Sequence, residues 1–147
     1  MNAMCHRNAK INREAEITRD LLIERAREAA ERAYAPYSGF KVGAALLTAN
    51  QKVFSGCNVE NASFGATVCA ERAAVCAAVA HGERSFIQMA VVAMSEGQPR
   101  LAHPCGICRQ VLSEFASPDF LIHLLDPDEG PLSLRFGDIF PLAFELQ

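Results

Sequence analysis

The sequence has no apolar run longer than one strand requires, so it offers no candidate for a membrane-spanning helix, which needs about 20 consecutive apolar residues. It also lacks an excess of positive charge. Lys and Arg number 14 against 17 Asp and Glu, which gives a net charge of −3 at pH 7. No basic field is therefore available to hold a polyanion, and we expect neither a membrane nor a nucleic acid as partner.

An export signal is absent as well, because residues 1–16 lack the apolar core of a secretory signal. We therefore expect a cytoplasmic protein whose 6 cysteines stay reduced. Metal binding then explains their clustering better than disulfide bonds do. Neither repeats nor a long linker interrupt the 147 residues. We expect a mobile N-terminal extension over residues 1–16 and a single domain over residues 17–147.

The hydrophobic pattern predicts an α/β protein with one mixed sheet and helices packed on its faces. Apolar residues recur at helical spacing from Ile17 through Leu21 to Ala33, which predicts a first helix that stops before Pro36. Further helices are predicted over residues 69–80 and 105–115, with a short terminal helix near 139–145. The predicted strands are residues 42–48, 53–59, 86–94, 120–125 and, as an edge strand, 132–136.

Three cysteines in two short motifs offer ligands for one metal ion. The motifs are Cys69-Ala70-Glu71 and Pro104-Cys105-Gly106-Ile107-Cys108. Three protein ligands leave the fourth position of a tetrahedral Zn²⁺ open to water, which distinguishes catalytic zinc sites from closed structural ones. The pattern is typical of zinc nucleobase deaminases, in which a glutamate near the first ligand precedes a Pro-Cys-x-x-Cys motif.

The spacing implies that two helix N-termini converge on the metal. Cys69 and Glu71 would point to different sides in mid-helix, so Cys69 must lie in the first turn. Thr67 is the expected N-cap of that helix. Cys105 and Cys108 are three residues apart and share one helical face. The positive ends of the two helix dipoles would help to keep the thiols ionised.

Glu71 is not needed as a ligand, which makes it the candidate general acid and base. It would take the proton of a zinc-activated water, protonate the ring nitrogen beside the attacked carbon and pass a proton to the departing amine. Three thiolates leave the site one negative charge in excess, which Arg72 would offset. A closed, structural zinc site stays open as an alternative if His103 is a fourth ligand. Cys76 lies about 10 Å further along the helix, too far to share the ion.

Four segments resemble the cytidine deaminase family, and the similarity covers residues 21–146. They are Tyr34-Ala35-Pro36-Tyr37-Ser38-Gly39-Phe40-Lys41-Val42-Gly43-Ala44-Ala45, Gly56-Cys57-Asn58-Val59-Glu60-Asn61-Ala62-Ser63, Cys69-Ala70-Glu71-Arg72 and Pro104-Cys105-Gly106-Ile107-Cys108-Arg109-Gln110. The resemblance is to the small homotetrameric type with three cysteine ligands rather than to the larger dimeric type with a histidine ligand. It implies a three-layer α/β/α sandwich around a central mixed five-stranded sheet.

The resemblance also implies roles at matching positions. Cys69, Cys105 and Cys108 match the ligands of one Zn²⁺ per chain. Glu71 matches the proton shuttle, and Arg72 matches an arginine that hydrogen-bonds the ligand thiolates.

For the substrate, Asn58 and Glu60 match residues that hold a ribose hydroxyl, and Val59 lines the same loop. Phe40 matches an aromatic ring that packs on the base. Ala70 matches a residue whose backbone N–H lies near the pyrimidine carbonyl. The implied reaction is hydrolytic deamination of free cytidine or 2′-deoxycytidine to uridine or 2′-deoxyuridine and ammonia, as in pyrimidine salvage.

Phe144 matches an aromatic residue that reaches into a neighbouring subunit's site, so the resemblance implies a homotetramer with sites completed across subunits. The sequence departs from the family pattern at two positions. Phe64 stands where many members have tyrosine, and His103 replaces a small residue before the Pro-Cys pair. Either difference would tune substrate preference.

Two other functions stay open. One is a related deaminase that acts on another aminopyrimidine, such as an antibiotic nucleoside, or on a polynucleotide. Asn58-Val59-Glu60 favours an ordinary ribose, and the pI of about 5.8 disfavours single-stranded nucleic acid. The other is a non-catalytic binding module in which the metal contributes only to folding.

Overall fold

A mixed sheet organises the part of the chain that the computed structural model describes, residues 19–146. The strands are β1 (Lys41–Thr48), β2 (Val53–Cys57), β3 (Phe86–Ser95), β4 (Gln98–Arg100), β5 (Leu121–Asp126) and β6 (Gly130–Arg135). The helices are α1 (19–31), α2 (Ala70–Ala80), α3 (Gly106–Ser113) and α4 (Phe136–Ile139), with a 3-10 turn at Phe64–Ala66. No helix within residues 19–146 has the length and hydropathy needed to cross a membrane.

The strand order is β2-β1-β3-β5-β6, with β4 paired to the end of β3. Strand β1 is antiparallel to both neighbours, β3 and β5 are parallel, and β5 and β6 are antiparallel. The predicted mixed sheet of five strands is confirmed. Strand β4 was missed because Glu96 and Gly97, at φ 52° and 74°, form a tight reversal that folds residues 98–100 back onto β3.

Helices cover both faces of the sheet, as predicted. Alternate strand residues on one face pack against α1, in a cluster of Ala45, Leu47, Ala90 and Val92 with Leu22, Ile23 and Ala26. The intervening residues face α2, α3 and α4, in a larger cluster that includes Ala44, Leu46, Met89, Val91, Ile122 and Leu124 with Ala74, Val75, Leu112 and Phe136. The strand period of two therefore builds two separate cores.

Glycine at two positions lets the helices approach the sheet closely. A Cβ on Gly43 in β1 would lie 1.9 Å from the backbone oxygen of Ala26 in α1. A Cβ on Gly56 in β2 would lie 2.4 Å from the backbone nitrogen of Ala74 in α2. The second contact sets the distance of α2 from the sheet, and α2 carries Glu71.

Some of the predicted boundaries are wrong. The terminal helix spans Phe136–Ile139 rather than residues 139–145. It stops there because Pro141 disfavours a helical conformation at the residue before it. Leu21 is 49% exposed, and Ile23 takes its place in the core. The expected extension over residues 1–16, together with Ile17, lies outside the described residues.

A polar side chain lies on the face of the sheet that α1 covers. His123 in β5 is buried, and its ring bonds to Ser133 Oγ at 2.8 Å and Gln88 Oε1 at 2.6 Å. An amide oxygen only accepts, so Nε2 carries the proton and Nδ1 accepts from the serine hydroxyl. Burial, with Arg19 adding to it and Asp20 opposing, lowers the pKa of His123 to about 4. The ring is a neutral cross-strand link.

We expect Gly43→Ala to lower the free energy of unfolding by about 3 kcal/mol or more, because the new methyl group overlaps a helix backbone that cannot move aside alone. Gly65→Ala is the matched control, since a Cβ there meets nothing within 4 Å. Urea unfolding followed by circular dichroism measures both. Equal stability of the two variants would show that α1 does not contact β1 as described.

Protonation of His123 links stability to pH. The pKa of His123 is about 4 in the folded protein and about 6.5 in the unfolded chain. Between these two pH values, His123 binds a proton only in the unfolded chain. Stability therefore falls as the pH drops through that window, by about 2–3 kcal/mol in total. We expect His123→Gln to lack this component.

The quantity to measure is the difference in unfolding free energy between wild type and His123→Gln from pH 7.5 to pH 4.5. Other groups that titrate in the window, including Glu71, are common to both proteins and cancel. Acid should destabilise the wild type more than the variant, and parallel pH profiles would contradict the account.

Candidate metal centre and active site

The N-termini of α2 and α3 lie next to each other, and a cysteine occupies the N-cap position of each helix. Cys69 precedes α2 with φ −74° and ψ 154°, and Cys105 precedes α3 with φ −68° and ψ 170°. Neither caps with its side chain, so both sulfurs are free to point elsewhere. The prediction of Thr67 as N-cap of α2 is wrong. That residue ends the 3-10 turn, and its extended backbone leads the chain into Cys69.

The sulfur atoms of Cys69, Cys105 and Cys108 lie within 4.8 Å of one another. Cys69 Sγ and Cys105 Sγ are 3.8 Å apart. Two sulfurs that bind one tetrahedral zinc ion at about 2.3 Å are separated by about 3.8 Å, so this spacing fits zinc. No other group of three or more metal-binding side chains occurs in residues 19–146.

Arg72 supports the cluster with positive charge. Its Nη2 donates to Cys69 Sγ at 3.5 Å and to the Thr67 carbonyl at 3.2 Å. The hydrogen bond from the Cys108 thiol, with Arg72 acting in the same direction, lowers the pKa of Cys69 to about 5. The same bond, together with burial, raises the pKa of Cys108. Cys69 is therefore ionised at neutral pH even without metal, as ligation requires.

Glu71 lies in the first turn of α2 with its side chain turned inward. The residue is only 5% exposed, which is unusual because glutamate is ordinarily charged and lies at the protein surface. Burial, helped by the neighbouring Cys69 thiolate, raises the pKa of Glu71 to about 7. A carboxyl group with such a pKa both accepts and donates protons at neutral pH, as a general acid and base must.

A cavity of about 310 Å³ joins Glu71 to the metal ligands. Phe40, Asn58 and Glu60 line it together with Cys69, Ala70 and Cys105. Strand pairing explains why distant residues meet here. Gly43 at the start of β1 pairs with Cys57 at the end of β2, so the segment before β1 and the segment after β2 leave the sheet side by side.

The side chains of Asn58 and Glu60 hold the segment before β1. Asn58 Oδ1 accepts from the Val42 N–H at 2.8 Å, and Asn58 Nδ2 donates to the Phe40 carbonyl at 2.8 Å. Glu60 Oε2 accepts from the backbone N–H groups of Tyr37 and Ser38 at 2.8 and 3.2 Å. Both side chains thus fix the wall of the cavity as well as face it.

Two of the residues named from the sequence as substrate contacts do not line this cavity. Val59 is 46% exposed and forms isolated bridges with Tyr34 and Val68, so its contribution is to fix the loop between Asn58 and Glu60. Phe144 is 68% exposed. Gln110 Nε2 in α3 donates to its carbonyl at 3.0 Å, which ties the backbone of this residue to α3.

Other residues complete the lining without having been assigned a role there. They are Ser38, Val42, Thr67, Val91, Ala102 and His103. His103 had been noticed only as a departure from a family pattern and a candidate fourth ligand. Its side chain is not part of the sulfur cluster. Ser38 lies in the turn before Phe40, and its polarity in an otherwise apolar segment was the one available signal.

The remaining described cysteines lie outside the cluster. Cys57 in β2 is half-buried and Cys76 in α2 is exposed. Cys76 therefore faces away from the sheet.

Known proteins are similar to this chain over the region that contains Glu71 and the three cysteines. The family model described as the cytidine and deoxycytidylate deaminase zinc-binding region matches residues 17–124. A cytidine deaminase of Sporosarcina psychrophila is 48% identical over 123 residues, which cover 84% of this chain and 88% of the relative. A blasticidin-S deaminase of Bacillus cereus is 30% identical over 108 residues, covering 70% and 76%.

Among solved structures, the crystal structure of a cytidine deaminase from Burkholderia pseudomallei aligns with a TM-score of 0.77 and 47% identity. The alignment covers 85% of this chain and 98% of that chain. The residues that the family model matches include Glu71 and the three cysteines of the cluster.

We expect Cys105→Ser to lose the metal without losing the fold, because Cys105 is exposed and serine keeps its size. Cys76→Ser is the matched control, an exposed cysteine outside the cluster. Metal analysis of the purified proteins should find one zinc per chain in wild type and Cys76→Ser, and much less than one in Cys105→Ser. Full zinc content in Cys105→Ser would remove this residue from the ligand set.

Proposed function

Because the chain belongs to the cytidine and deoxycytidylate deaminase family, we propose that it hydrolyses free cytidine and 2′-deoxycytidine to uridine and 2′-deoxyuridine with release of ammonia. Family membership makes the chain a zinc-dependent enzyme, as the sequence predicted. The proposal concerns its substrate and the roles of its residues.

One observation carries the proposal: the buried carboxyl group of Glu71 lines the same cavity as Cys69 and Cys105, two of the three cysteines in the sulfur cluster. A volume of about 310 Å³ is at the lower end of the range for small-molecule sites. It suits one nucleoside and leaves little room for a polymer. Cys69, Cys105 and Cys108 would hold the zinc ion, which would supply a water with its pKa lowered to about 7.

The proton transfers fall to Glu71. Its carboxylate takes a proton from the attacking water and gives one to the ring nitrogen next to the attacked carbon. It then takes the second proton of that water, now the hydroxyl on the attacked carbon, and delivers it to the departing amine. The carbon–nitrogen bond breaks, ammonia leaves and the hydroxyl becomes the new carbonyl. The raised pKa of Glu71 suits both directions of transfer. Arg72 offsets the negative charge of the thiolates through its bond to Cys69.

Substrate binding is assigned to the wall opposite the metal. The carboxylate of Glu60 and the amide of Asn58 would receive the sugar hydroxyl, with Val59 holding the loop between them. Phe40 would pack on the base, and the backbone N–H of Ala70 would bind the pyrimidine carbonyl. Support comes from the shared cavity and from the fixed orientation of the two polar side chains. A polar site of this kind rejects ligands that leave its groups unpaired.

Blasticidin S stays open as a second candidate substrate, because one relative is named a blasticidin-S deaminase. We favour the ordinary nucleosides because the relatives with higher identity are named cytidine deaminases. A net charge of −3 provides no field for a polynucleotide. A purely structural zinc is disfavoured by the buried Glu71 beside it.

We further propose a cytoplasmic homotetramer that serves pyrimidine salvage, with residues 17–147 as one domain. The exposed apolar tail supports assembly, since Leu142, Phe144 and Leu146 are 91%, 68% and 89% exposed. Such a cluster is suited to a subunit contact. In the tetramer, Phe144 would complete a neighbouring subunit's cavity.

Replacement of Glu71 by Gln tests the proposal. Glutamine keeps the shape but cannot shuttle protons, so we expect kcat for cytidine to fall by about 10²–10⁴-fold while zinc content and fold are kept. Glu114→Gln at the exposed end of α3 is the control and should keep full activity. Ultraviolet absorbance follows the conversion of cytidine to uridine.

A near-normal kcat in Glu71→Gln would exclude Glu71 as the shuttle. The same assay with 2′-deoxycytidine, cytosine, blasticidin S and a short oligonucleotide tests the substrate class. Turnover of the antibiotic or the oligonucleotide without turnover of cytidine would reverse our preference.

A further inference from the structure

The hydroxyl of Ser38 lies between two groups that are proposed to touch the substrate. Ser38 Oγ donates a short hydrogen bond to Glu60 Oε1. The same oxygen accepts from the Phe40 N–H at 3.0 Å. Ser38 also lines the cavity. One hydroxyl thus connects the carboxylate assigned to the sugar with the main chain of the ring assigned to the base.

The two oxygens of Glu60 are held differently. Oε2 receives two backbone N–H groups, from Tyr37 and Ser38. The donor to Oε1 within the described chain is the Ser38 hydroxyl. The backbone N–H donors to Oε2 remain whatever side chain is substituted, whereas the hydroxyl donor to Oε1 requires serine at position 38 or another residue with a hydroxyl group. The orientation of the carboxylate plane is therefore set by the identity of residue 38.

Phe40 is anchored through both of its backbone polar groups, the N–H and the carbonyl. Asn58 Nδ2 binds its carbonyl at 2.8 Å, and the Ser38 hydroxyl binds its N–H at 3.0 Å. Loss of the hydroxyl would release one of the two anchors. Since the donor and an acceptor position of Ser38 Oγ are both used within the protein, its effect on a ligand passes through Glu60 and Phe40.

We propose that Ser38 is a positioning residue that sets the preference for substrates with a sugar hydroxyl. It acts chiefly by orienting Glu60, because Phe40 keeps its bond to Asn58 when the Ser38 hydroxyl is lost. This inference rests on the proposed function, which assigns Glu60 to the sugar. The Ser38 bond also lowers the pKa of Glu60. The chemistry at Glu71 and the sulfur cluster is not touched.

The test compares two nucleosides, cytidine and 2′,3′-dideoxycytidine, which lacks both ring hydroxyls. In Ser38→Ala we expect KM for cytidine to rise about tenfold, as for the loss of one oriented charged hydrogen bond, with kcat within about threefold of wild type. Binding of dideoxycytidine, measured as KM or as an inhibition constant, should change little. The discrimination between the two nucleosides should therefore fall about tenfold.

Ser38→Thr keeps a hydroxyl group and should restore most of the discrimination, which a general structural defect would not allow. Ser38 is exposed, so truncation at this position should leave zinc content and thermal stability unchanged. Equal losses on both nucleosides, or an unchanged preference in Ser38→Ala, would overturn the inference. A wild-type protein that does not deaminate cytidine would instead overturn the proposed function beneath it.

Discussion

The convergence of two helix N-termini is the constraint on which the site depends. Cys69 and Cys105 occupy capping positions with extended backbones, and their sulfurs come to 3.8 Å. Cys108, one turn into α3, adds the third sulfur from within the protein. Because α2 also carries Glu71 in its first turn, the approach that forms the sulfur cluster buries the carboxyl group beside it. Metal and acid are positioned by one packing arrangement.

That arrangement depends in turn on the sheet. Gly56 lets α2 rest directly on β2, and the pairing of β1 with β2 brings the segments at Phe40 and at Asn58 together above the helix start. The wall of the cavity then consists of loop residues that are tied by side-chain hydrogen bonds to backbone groups. A rigid wall suits a small polar ligand, because less ordering is required when it binds.

Local spacing explains what could be predicted from the sequence. A cysteine two residues before a glutamate, and two cysteines three apart after a proline, determine helix positions within a turn, and the structure brings these sulfurs together. The nearly continuous run of apolar residues over 86–94 likewise predicted a sheet covered on both faces. The bond from Ser38 to Glu60 joins residues 22 apart, and nothing in the spacing marks them as partners. The structural role of His123 is likewise not visible in local spacing, because its partners, Gln88 and Ser133, lie on two other strands. Strand β4 depends on a backbone turn at Glu96-Gly97 that few sequence signals reveal.

An open coordination position on the metal is the central claim, since a zinc ion closed by four protein ligands would leave Glu71 without a reaction to serve. X-ray absorption at the zinc edge of the purified protein measures it directly. We predict three sulfur neighbours at about 2.3 Å and one light neighbour at about 2.0 Å, with the light-atom signal unchanged in His103→Ala. Loss of that signal in His103→Ala, or a fourth sulfur in the wild type, would show a closed site and contradict the account.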